Sequence, residues 1–127
     1  MTPTRVLIVD DNPINIELAE FILRAQGFVV SCANGAAAAI ERARESRPHV
    51  VLMDIQLPEV DGLEVARRLR ADAVLRDVVI IAFTAYAMKG DEQKLLSAGC
   101  DGYIAKPIDV ATFGQAIRAC MAAKARA

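Results

Sequence analysis

Val50-Val51-Leu52-Met53-Asp54 is a run of four apolar residues closed by a carboxylate. It shows no apolar/polar alternation and is followed by loop residues and then a helical pattern, so it reads as a strand buried on both faces of a parallel sheet. Asp54 then stands where a central strand leaves the sheet, the edge at which open α/β sheets bind their ligands. A single Asp in that place ordinarily caps the next turn. Its meaning depends on what else the chain brings to the same edge.

Working outward, strand and helix patterns alternate five times. Upstream, Val6-Leu7-Ile8-Val9 is an all-apolar first strand ending at Asp10-Asp11. Asn12 offers an N-cap oxygen and Pro13 suits the first helical position, so the first helix runs to about Gln26, with Gly27 as its stop. Phe28 to Cys32 form a second strand, and Asn34-Gly35 turns into an alanine-rich helix that ends before Pro48. Downstream of Asp54 a loop holds Pro58, and the third helix spans about Gly62 to Ala71. Val78 to Phe83 form the fourth strand, ending at Thr84, and a helix from Asp91 to Ala98 closes at Gly99. Gly102 to Ala105 make the last strand, ending at Lys106-Pro107. Asp109 caps a final helix in which Val110, Phe113, Ile117 and Cys120 recur at core-facing spacing.

Strict alternation with short connections implies a doubly wound parallel sheet of five strands, with five helices on its two faces. The 127 residues suit one domain, 1–127, with no room for a second. Charge is nearly balanced, 15 Lys+Arg against 16 Asp+Glu, which excludes the global basic footprint of a nucleic-acid binder. Arg67, Arg68 and Arg70 read as a solvated helix face. Cys32, Cys100 and Cys120 are widely spaced, with no CxxC pair and no neighbouring His, as expected of buried thiols in a reducing compartment. The first residues lack the apolar stretch of a signal peptide and no run reaches membrane-spanning length, so a cytoplasmic location is expected.

The strand ends bring Asp10, Asp11, Asp54, Thr84 and Lys106 to one edge. Carboxylates about 4 Å apart repel by about 4 kcal/mol at an effective dielectric near 20, so three together call for protons or a cation. An all-oxygen set suits a hard ion, and Mg²⁺ is favoured because it accepts one or two carboxylates and keeps positions for a phosphoryl oxygen. With a metal and an ammonium nearby, Asp54 can act as a nucleophile toward phosphorus.

These residues, in order Asp10-Asp11, Asp54 with Pro58 and Gly62, Thr84-Ala85 and Lys106-Pro107, resemble the signature of a response-regulator receiver domain of the CheY-like superfamily. The stretch Thr84-Ala85-Tyr86-Ala87-Met88-Lys89-Gly90-Asp91 is similar to that of DivK-type stand-alone receivers, and receivers attached to hybrid histidine kinases share it. The resemblance implies the strand order 2-1-3-4-5 and a two-component phosphorelay function without an output domain. Asp54 would accept a phosphoryl group from a histidine kinase or phosphotransfer protein. Asp10, Asp11, Asp54 and the backbone carbonyl of Gln56 would hold Mg²⁺. Lys106 would pair with the phosphoryl group, Thr84 would bind another of its oxygens, and the bond before Pro107 would be cis.

Phosphorylation adds about −1.5 to −2 charges, enough to draw Thr84 inward. In receivers that motion leaves room for an aromatic on the last strand to turn inward, and the resemblance gives Tyr103 that position. The fourth helix, last strand and last helix would then meet downstream proteins, in cell-cycle or developmental control, with the receiver a monomer or weak dimer. On the first helix two apolar stripes compete. The resemblance decides between them, since receivers dock on the kinase's helical hairpin through the start of this helix. It implies Ile16, Ala19, Ile22 and Leu23 in the core and Ile14, Leu18 and Phe21, with Asn12 at their head, as the partner face.

Three other classes fit these residues less well. A haloacid-dehalogenase-type phosphatase wants Asp-x-Asp after the first strand, whereas Asn12 stands where its second Asp would be. A flavin site would place a phosphate against two aspartates. A receiver that works without phosphorylation is not favoured by a complete set of pocket residues. His49, the single histidine, precedes the central strand at the far end from the pocket and reads as a loop residue.

Overall fold

The computed structural model describes residues 3–55, 62–84, 91–105 and 109–126. Its elements run β1 (Arg5–Val9), α1 (Pro13–Ala25), β2 (Val29–Ala33), α2 (Ala36–Ser46), β3 (Val50–Asp54), α3 (Gly62–Ala71), β4 (Val79–Thr84), α4 (Asp91–Ser97), β5 (Gly102–Ala105) and α5 (Phe113–Arg126). The strands form one sheet in the order β2-β1-β3-β4-β5, and every pairing is parallel.

β3 is buried throughout, as its unbroken apolar run requires. Side chains alternate between two cores. Leu7, Val9, Val51, Met53 and Ile80 pack against α2 and α3, with Leu95 of α4 beneath the same face. Val6, Ile8, Leu52, Ile81 and Phe83 pack against Ala19, Ile22 and Leu23 of α1 and Phe113 and Ile117 of α5. Both faces are therefore covered, and function is left to the strand ends.

Most boundaries fall where the sequence places them, and the departures have local causes. β2 begins at Val29, because the Phe28 amide donates to the Leu23 carbonyl while Gly27 closes α1 in the left-handed region at φ 91°. β4 begins at Val79, because the Val78 amide is used in a turn onto the Leu75 carbonyl. The expectation for the last helix needs a larger correction. Asp109 accepts from the Ala111 amide through Oδ1 and from the Thr112 and Phe113 amides through its carbonyl, forming a separate turn before α5. That turn swings Val110 out to 59% exposure, so it lies outside the core, while Phe113 and Ile117 are buried.

Arg70 overturns the reading of Arg67, Arg68 and Arg70 as a solvated face. Its guanidinium is half-buried and donates to the carbonyls of Gly99, Arg76 and Val78 and to Asp101 Oδ2 at 2.7 Å. Lys124 Nζ reaches the same carboxylate oxygen at 3.2 Å, as does the Ile80 amide at 2.8 Å. Arg67 and Arg68 do stay at the surface, paired with Glu64. The thiols are free, but only Cys100 is fully buried, Cys32 and Cys120 being half-buried.

Candidate functional site

The carboxyl edge of the sheet is built by register. Val9 pairs with Met53 and Asp54 with Phe83, so the first acids after β1 arrive beside the last residue of β3. Asp10 is 1% exposed and Asp54 5%, whereas Asp11 is open to solvent. The Asp10 amide donates to the Ala33 carbonyl at 3.1 Å, and its carboxylate accepts from the Asn12 amide at 2.9 Å. Asn12 in turn caps α1, its side-chain oxygen accepting from the Ile14 amide at 2.9 Å. The cap and the acid pair thus form one continuous turn. Asp10 cannot shift without disturbing the helix start.

Asp10, Asp11 and Asp54 each offer an oxygen such that all three lie within 4.8 Å of one another. At that separation each ionised pair repels by about 3–4 kcal/mol for an effective dielectric near 20. Three hard oxygen donors, two of them buried, fit a small divalent cation such as Mg²⁺.

Thr84 ends β4 with its backbone paired to Ala105, and β5 stops one residue before Lys106 in sequence. The side chain of Thr84 and the whole of Gln56, Pro58, Ala85–Gly90, Lys106 and Pro107 lie outside the described residues, as do Glu59 and Asp61.

On α1 the two stripes separate cleanly. Ala19 and Leu23 are fully buried and Ile22 nearly so, whereas Ile14 is 73% and Phe21 74% exposed, with Leu18 half-exposed between them. Ile14, Glu17, Leu18 and Phe21 line a surface groove of about 310 Å³ that begins two residues after Asn12. Tyr103 is exposed on β5, and so is Leu96 on α4.

His49 lies at the opposite end of the sheet, where its Nδ1 accepts from the Arg5 amide and its carbonyl from the Val79 amide. The cysteines offer no competing nucleophile. Burial, with Glu20 beside it, pushes the Cys32 thiol up to about 11, burial does the same for Cys100, and Cys120 is also raised.

Gly62 has a role that the sequence reading did not assign. Its amide donates to the Ile55 carbonyl at 3.0 Å, and a Cβ placed on it would stand 2.6 Å from the Asp54 carbonyl oxygen and 2.7 Å from Ile55 Cα. The first residue of α3 is the backbone seat of Asp54. A glycine opening a helix with no turn to require it was the available signal.

A five-stranded parallel sheet of this order, with three acids gathered at its carboxyl edge, defines a CheY-like α/β domain with an acidic site. Residues 6–118 match the family described as response regulator receiver domain, and the chain belongs to that family. It is 46% identical over 116 residues to the polar-differentiation response regulator DivK of Brucella anthropi, covering 91% of this chain and 94% of that protein. The receiver domain of the sensor histidine kinase PA1611 from Pseudomonas aeruginosa, solved with a magnesium ion coordinated in its active-site cleft, is 35% identical with a TM-score of 0.85, covering 95% of this chain and 99% of that one. Vibrio cholerae CheY4, at 22% identity and TM-score 0.89 over 94% of this chain and 99% of its own, shares the fold. No helix of the described residues is long and apolar enough to cross a membrane.

Proposed function

We propose that this receiver is a single-domain member of a two-component phosphorelay in which Asp54 accepts a phosphoryl group from the phosphohistidine of a kinase or phosphotransfer protein. The observation that carries the reading is the convergence of Asp10, Asp11 and Asp54 at the carboxyl edge, with Asp54 at the end of the central strand. An Asp54 carboxylate oxygen attacks phosphorus, the P–O bond forms as the P–N bond to imidazole breaks, and the imidazole leaves with the electron pair. Water later cleaves the acyl phosphate and returns the carboxylate.

Asp10, Asp11 and Asp54, with the Gln56 carbonyl, would hold Mg²⁺. Bound there, the ion neutralises the carboxylates and polarises a phosphoryl oxygen. Lys106 pairs with a second phosphoryl oxygen and Thr84 donates to a third, coupling the charge on Asp54 to the β4 end and to Tyr103. The kinase-facing surface is the groove of Ile14, Leu18 and Phe21 with Asn12 at its head. The downstream surface is α4, β5 and α5, where Leu96 and Tyr103 are exposed. The likeness to DivK supports a cytoplasmic adaptor controlling kinases of polarity or development.

The test is intact mass of the wild type and Asp54→Ala after incubation with acetyl phosphate and Mg²⁺. A phosphoryl-sized gain in the wild type alone is expected. A gain in both moves the nucleophile elsewhere, and no gain in either with Mg²⁺ bound favours an adaptor that works unphosphorylated.

A further inference from the structure

At the amino edge of the sheet, away from the acidic site, β1, the α2–β3 turn, the segment before β4 and the end of α5 border an open surface cleft of about 440 Å³. Its size falls within the range of small-molecule sites, roughly 300–1,000 Å³. Three cations line it, Arg5, Arg47 and Lys124, against one acid, Asp77.

Among the described residues, none of the three cations is neutralised one-for-one. Arg5 spends its guanidinium on uncharged acceptors, donating to the Arg47 carbonyl at 3.0 and 2.7 Å and to that of Ser46. Lys124 shares the single Asp101 carboxylate with Arg70. Arg47 makes no side-chain ion pair among the described residues, and its backbone is held at φ 49°, the one non-glycine residue described there with positive φ. His49 adds a neutral donor: its Nδ1 accepts from the Arg5 amide, so the ring proton sits on Nε2. Between these polar groups the wall is apolar, with Val74 exposed over Leu75 and with Met121 beside them.

We propose that this cleft binds a small organic carboxylate with an apolar body, such as an aromatic acid. The carboxylate meets the Arg47 fork and the His49 Nε2–H, a planar match that guanidinium makes in two parallel bonds. The ring lies on Val74 and Met121, whose thioether favours aromatic contact. The charge excess selects the anion, and the wall selects its body. An inorganic anion would use only half of this arrangement.

The experiment is a titration of the ¹⁵N-labelled full chain with sodium benzoate at constant ionic strength, alongside benzamide and inorganic phosphate. Benzoate should move the amides of residues 47, 49, 74–79 and 121–125 saturably, with half-saturation at about 1–10 mM, as befits a ligand of so few atoms. Arg47→Gly should weaken this about tenfold, and it keeps the fold because glycine adopts that φ without strain. Val74→Ser, on an exposed side chain, should weaken benzoate and leave phosphate unaffected. Equal binding of benzamide removes the anion from the proposal, and equal binding of phosphate removes the apolar body. Either result overturns it, as do shifts that never saturate or that centre on residues 10–12 and 54.

Discussion

Gly62 lies against the Asp54–Ile55 backbone so closely that a methyl group on its Cα would overlap the Asp54 carbonyl oxygen at 2.6 Å. Both atoms belong to regular structure, the end of β3 and the start of α3, so neither can rotate away as a side chain would. Gly62→Ala must push the helix back or bend the strand that carries the phosphoacceptor. The expected cost is about 1–3 kcal/mol of stability, the range for inserting a carbon into packed structure. Phosphorylation by acetyl phosphate should also slow at temperatures where the variant is folded. Urea unfolding and intact mass measure the two effects. Gly35→Ala is the control, since nothing lies within 4 Å of the added carbon.

Arg70 and Asp101 join α3 to the entry of β5 below the sheet, with Lys124 of α5 on the same carboxylate oxygen. Arg70→Ala leaves Asp101 with only Lys124 and the Ile80 amide, and it removes a donor from the carbonyls of Gly99, Arg76 and Val78, of which Val78 keeps Lys124. Breaking a largely buried pair in this way should cost about 3 kcal/mol, whereas Arg67→Ala, whose pair with Glu64 is surface-exposed, should change stability by under about 0.5 kcal/mol. Parallel urea titrations distinguish them. Similar losses for both variants would mean that Arg70 holds nothing the solvent cannot replace.

What the sequence disclosed and what it hid divide along this line. β3 was legible because four apolar residues ending in Asp leave no other element to build, and the acidic edge followed from chain order alone. Periodicity alone left the two apolar stripes of α1 undecided, and it was the resemblance to receivers that assigned Ile14, Leu18 and Phe21 outward, as their exposure bears out. Arg70 was not legible. Its fate depends on carbonyls supplied by Gly99 and Val78 from elements far along the chain, and helix periodicity contains no information about them. Val110 misled for a related reason, since the Asp109 side chain captured the backbone one turn before helix spacing could apply.

His49 gives the fold a pH response unrelated to the acidic site. Burial and the nearby Arg5 hold its imidazole below the ordinary value of 6.5, and its Nδ1 is already an acceptor for the Arg5 amide. The unfolded chain therefore takes up a proton at higher pH than the folded one. The stability contributed is present above about pH 6.5 and is lost as pH falls toward and through the lowered folded value. Denaturation midpoints between pH 8 and 5 should fall on acidification, and His49→Gln should flatten that slope. An unchanged slope would assign the acid response to other groups, Asp72 being a candidate only at lower pH, since backbone hydrogen bonds and Arg44 hold it below the usual carboxylate range.

The exposed stripe of α1 separates folding from recognition in a way that one helix can test. Phe21 is 74% exposed and contributes little to the core, so Phe21→Glu should leave the unfolding midpoint within about 0.5 kcal/mol of wild type. Acceptance of phosphate from acetyl phosphate should also be unchanged, because that donor needs only the acidic edge. Transfer from a cognate histidine kinase should slow by about tenfold or more, since a charge would then face the apolar surface the partner must cover. Ala19→Glu, two residues earlier on the same helix and fully buried, should instead unfold the domain. Equal transfer rates for wild type and Phe21→Glu would place the kinase on another face. The apolar groove of Ile14, Leu18 and Phe21 would then need a different occupant.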